Sequence, residues 1–181
     1  MEYVNKISNL QDYTLANFHQ YVEMFIYSGV CFIIPLFLGH PQIVVGIVVN
    51  AMLITAALNL KGWKLLPVIL LPSLGVLSRG LLFGPFSIYL AYLIPFIWIG
   101  NTILVYSFKY FKLRLEKNYL LTLGIGSVLK TIFLFLSALV LYLFGVIPVI
   151  FLTAMGVMQL TTALGGGIAA YGLHYAKKKL T

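Results

Sequence analysis

Apolar residues fill this chain in long blocks, and the polar breaks between the blocks are short. Six blocks, at about 23–38, 42–60, 65–83, 86–108, 118–144 and 147–173, each come near the roughly 20 residues a helix needs to cross a hydrocarbon core of about 30 Å. The pattern predicts an all-α integral membrane bundle of six transmembrane helices in one domain, 1–181. The breaks at 39–41, 84–85 and 145–148 are built on Gly and Pro, which predicts antiparallel neighbours joined by tight turns. Pro67 and Pro72 predict a kinked third helix. Residues 1–22 are polar with scattered apolar positions, and read either as an amphipathic helix in the membrane interface or as a partly ordered tail.

Charge turns the pattern into an orientation. Only 9% of the 181 residues are charged, against about a quarter in soluble domains. Lys6, Lys61, Lys64, Lys109, Lys112, Arg114, Lys117 and Lys177 to Lys179 all fall in the two terminal segments and the second and fourth connections, the loop 109–117 among them. Basic residues favour the cytoplasmic side, so both termini are expected in the cytoplasm and the chain is expected to be a multi-pass plasma-membrane protein. A net charge of +8 arranged this way marks membrane sides and gives no nucleic-acid surface. The opening stretch lacks a basic region followed by an apolar core, so no cleavable signal is expected. A single cysteine, Cys31, allows no disulfide framework.

Two cations remain, Arg79 and Lys130, and both lie inside spans. A lysine or arginine there costs about 2.5–3.5 kcal/mol on insertion scales and usually faces a packed interior or a wet cavity. On a rise of about 1.5 Å per residue, Lys130 is about 18 Å and Arg79 about 21 Å from the cytoplasmic side. Asn50 and Gln159 reach similar depths from the other side, His40 and Gln42 stand at the outer mouth, and Asn101 lies in the inner half with Trp98 one turn above. Arg79, Lys130, Asn50, Gln159, Trp98, Asn101 and His40 are therefore the candidate substrate-binding residues. Competing structural roles are snorkelling for Arg79 and helix-to-helix hydrogen bonds for the amides. Thr122, Gly126 and Lys130 share one helix face, as do Gln159, Thr162, Gly166 and Ala170. Gly124, Gly126, Gly165, Gly166, Gly167, Ala169 and Ala170 are expected to be helix contacts.

The acidic residues, Glu2, Asp12, Glu23 and Glu116, all lie outside the depth of a span. That excludes a carboxylate relay and a magnesium site in the membrane. His19, His40 and His174 fall on opposite sides, which argues against haem ligation. HExxH, GxSxG and Walker patterns are absent. No catalytic residue, metal or cofactor is expected, and the chain is read as a non-enzyme that binds a small molecule; with no energy-coupling residue and no nucleotide site, it is expected to work as a subunit.

The length, the six spans, the Pro/Gly-rich middle LLPSLGVLSRGLLFGP and the small-residue last span QLTTALGGGIAA resemble the substrate-binding S components of energy-coupling factor (ECF) transporters. The resemblance implies an outward pocket walled by helices 4–6 and capped near His40-Pro41, Gly84-Pro85 and Gly145–Pro148. It implies uptake of a small, vitamin-like molecule with a transmembrane coupling subunit and two cytoplasmic ATPases as partners; the two cations within the spans favour an anionic or zwitterionic one. Family members often dock that subunit through an Ala-xxx-Ala patch in the first helix. Here span 1 offers Ser28 and Gly29, and the nearest small surface is Ala51-xxx-Thr55 with Ala56 and Ala57 in span 2. Other readings of the same residues are a membrane anchor for a cytoplasmic enzyme complex, docking through 109–117 and the lysine tail, and a stand-alone facilitator.

Overall fold

A computed structural model describes residues 2–12, 16–38, 41–83 and 87–180; the side chains of 2–4, 81–83, 87 and 177–180 are outside that description. Among the described residues all regular structure is helical. The elements are α1 (Glu2–Ser8), α2 (Asn17–Phe37), α3 (Gln42–Asn59), α4 (Leu65–Phe83), α5 (Ser87–Ser107), α6 (Tyr119–Leu143), α7 (Ile150–Met155) and α8 (Val157–Leu180). Five stretches are long and apolar enough to cross a bilayer: α2, α3, Ile88–Arg114, α6 and Ile150–Ala176. Their outward positions are apolar too, with Phe25 70%, Leu136 53% and Ile168 65% exposed, as a lipid-facing surface requires.

The closest helix pairings are α3 with α8, α2 with α4, and α5 with α6. Each rests on a glycine whose missing side chain leaves room for the facing helix. A Cβ on Gly166 would come within 2.6 Å of Asn50 Cβ and 2.7 Å of the Ile47 carbonyl; one on Gly75 would strike the Phe32 carbonyl, and one on Gly100 the Leu134 side chain. Gly126, Gly165, Gly167 and Ala170 are packed as the small-residue pattern predicts. Gly124 has open space where its Cβ would be, and Ala169 is exposed, so neither is a helix contact.

Three parts of the chain depart from the expected pattern. The first long helix begins at Asn17, and the segment before it is clamped onto the bundle: Asp12 N–H donates to the Leu58 carbonyl at 3.0 Å, and the Gln11 amide donates to the Asn59 carbonyl. Residues 109–117 are not a free loop, because α5 continues as π-helical turns over Phe108–Arg114 and carries Lys109 into the interior, 0% exposed. The last span is broken at Gly156, with φ −97° and ψ −104°; a Cβ there would lie 2.8 Å from the Leu152 carbonyl. Gly62 and Gly145, at φ 60° and 70°, make turns that other residues adopt only with strain.

The apolar packing falls into two clusters. The larger joins α2 to α6 and α8 and includes Leu53, Leu58, Val68, Leu104 and Phe108. The smaller comprises Leu93, Leu134, Ala138, Ile147 and Met155. Ala51, Ala56 and Ala57 belong to the first cluster and Thr55 is buried beside them, all at most 7% exposed, so this small surface is core and offers nothing to a docking partner.

Candidate functional site

Between the two clusters lies a cavity of about 140 Å³. Three helices build its floor. Lys130, twelfth residue of α6 and 2% exposed, donates from Nζ to Asn50 Oδ1 of α3 at 2.7 Å and to Asn101 Oδ1 of α5 at 3.0 Å. Each asparagine is held in turn. Asn50 Nδ2 donates to the Gly46 carbonyl at 2.8 Å and to Thr162 Oγ1 of α8 at 3.3 Å, and Asn101 Nδ2 donates to the Ile69 carbonyl of α4 at 3.0 Å. Both amides are therefore fixed with their oxygens on the ammonium.

Pro72 explains why α4 offers carbonyls to its neighbours. It cannot donate to the Val68 carbonyl, which loosens the turn before it. In that turn the Ile69 carbonyl accepts from Asn101, and the Leu70 carbonyl accepts from the Trp98 indole at 3.2 Å. Trp98 donates more closely to Ser73 Oγ, at 2.7 Å.

Along α3, Gln42, Gly46 and Asn50 recur at four-residue intervals and all line the cavity, which thus extends about 12 Å from its floor to the exposed Gln42. Ser73, Gln159 and Thr162 complete the polar lining; Pro35, Val45, Val49, Pro72, Val76, Leu90, Ile97 and Met155 supply the apolar part. Among the described residues none that lines the cavity is acidic.

Four of the sequence candidates, Lys130, Asn50, Asn101 and Gln159, thus meet in one cavity. Trp98 does not line it and acts on it through Ser73. Arg79 does not line it either; it is three residues beyond Val76 on α4, half-buried, with Nη1 buried and unpartnered among the described residues. His40 and Gly84-Pro85 lie outside the described residues. Ser73 was missed by the sequence reading, although a lone hydroxyl beside an in-helix proline is a signal for it.

At the opposite end of the molecule a second polar network closes the bundle, and we refer to this as the basic end. Lys109 Nζ donates to the Leu60 carbonyl at 2.6 Å and also to the Leu10 carbonyl. Lys64, 5% exposed, donates to Gln20 Oε1 at 2.9 Å. Tyr27 and Asn59 both donate to Glu23 Oε2, and Asp12 Oδ2 lies 3.1 Å from His174 Nε2. Two cations placed at the membrane surface by their charge alone, Lys64 and Lys109, are therefore interior groups.

Comparison with protein families, with curated proteins and with solved structures finds no match.

Proposed function

We propose that this chain is the substrate-binding membrane subunit for uptake of a small molecule bearing a carboxylate or other anionic group. A transmembrane coupling subunit and two cytoplasmic ATPases supply the energy, as in the ECF transporters whose S components the sequence resembles. One observation carries the reading: a buried ammonium sits at the floor of a cavity, held by two amide oxygens, with no acidic residue among the described residues of the lining. A buried cation without an anion is costly, and a ligand anion removes that cost.

The path of the chain supports six spans with both termini at the basic end, which the positive-inside pattern makes the cytoplasmic one. Lys109, just past α5, bonds at the basic end to Leu60, just past α3. Both helices therefore finish there, and α4 must carry the chain back along the bundle between them. The anchor reading loses part of its support, since Lys109 is withdrawn from the surface it needs.

The test is ligand binding by the purified protein. Mass spectrometry of what co-purifies identifies the compound, and Lys130→Ala is expected to weaken its binding about 100-fold, the equivalent of a lost charge-assisted hydrogen bond of about 3 kcal/mol. Undiminished binding by a folded Lys130→Ala protein would remove the cavity from the reading.

A further inference from the structure

Resting on that reading, we infer that the compound bound at Lys130 is a small monocarboxylate with an apolar body, and that dicarboxylates, phosphate and amino acids are refused. The first step is a count of donors. An ammonium has three, and Lys130 gives two of them to Asn50 and Asn101. The neighbouring neutral groups are already engaged: Asn50 Nδ2 with Gly46 and Thr162, Asn101 Nδ2 with Ile69, the Thr162 hydroxyl with the Met158 carbonyl, and the Ser73 hydroxyl with the Leu70 carbonyl. One N–H of Lys130 is left at the floor, and the amides of Gln42 and Gln159 remain along the wall.

Charge sets the second limit. Among the described residues the cavity lining offers one cation and no acid. A single carboxylate satisfies that cation. A second carboxylate, or the second charge of phosphate, would be buried without an opposite charge, and so would the ammonium of an amino acid; the neutral amides of Gln42 and Gln159 offset only part of that desolvation cost.

Size sets the third. An enclosed cavity of about 150 Å³ takes a benzene ring, and this one, about 140 Å³, is open toward Gln42. A ligand of about six to nine non-hydrogen atoms fits. Val45, Val49, Val76, Ile97 and Met155 give its body an apolar surround.

The experiment is equilibrium binding to the purified full-length protein of butyrate, hexanoate and benzoate, against benzamide, adipate, inorganic phosphate and leucine. Hexanoate or benzoate is expected to bind about 100-fold more tightly than benzamide, adipate, phosphate and leucine. The Lys130→Met protein, checked for an unchanged melting profile, is expected to bind benzoate no better than benzamide. Adipate, phosphate or leucine binding as tightly, and losing that binding in Lys130→Met, would overturn the monocarboxylate assignment and leave the binding-subunit reading standing. Failure of every compound, with no ligand co-purifying, would overturn both.

Discussion

An ammonium held by two amide oxygens is stabilised without being neutralised. Asn50 and Asn101 differ from aspartates in this respect: they orient Lys130 and do not cancel its charge. Their worth shows in a double-mutant cycle. Asn50→Ala should destabilise the protein by about 1.5–3 kcal/mol, the range for a hydrogen bond to a charged group. In a Lys130→Met background the same change should cost much less, because no charge is left unsupported. Denaturant unfolding in detergent measures both. Additive losses would mean that the amides act only as helix ties. The sequence made Lys130, Asn50, Asn101 and Gln159 legible because a polar group stands out against apolar surroundings and its depth follows from the helix rise. It left Ser73 and Trp98 in the wrong order, since which of them meets the cavity depends on the packing of α4 against α5.

The helices themselves were legible from block length, and their ends less so. The spacing of small residues located the faces on which α3 and α8, or α5 and α6, approach, but spacing does not distinguish a glycine under a neighbour from one with space above it. Gly166 and Gly124 make that difference measurable. Gly166→Ala puts a methyl against Asn50 and Ile47 and should cost about 1–3 kcal/mol. Gly124→Ala meets nothing within 4 Å and should stabilise its helix by about 0.5–1 kcal/mol. Thermal unfolding of the two variants is expected to shift in opposite directions. The π-helical turns after α5 were illegible for a different reason: KYFKLRLEK carries the charge of a surface loop, and only the carbonyls of Leu10 and Leu60 make an interior place for Lys109.

At the scale of the molecule, the basic end is closed by side chains that tie the N-terminal segment to the ends of α3 and α5. Lys109→Met removes its two bonds to carbonyls, so hydrogen exchange at Asn5 to Asp12 should speed up while the centre of α6 keeps its protection. The orientation has its own test. Cys31 is fully buried, so it can be replaced by alanine and single cysteines placed at Lys117 and at the exposed Phe144. In intact cells an impermeant maleimide is expected to label position 144 and spare 117; the opposite pattern would invert the topology. The division of apolar packing into two clusters has a last consequence. Among the described residues the smaller has five buried members and the larger twenty, so on warming the small island should let go first. On the reading proposed above, a protein that has stopped holding its cargo would then still be helical along most of its length, and loss of capture would precede collapse.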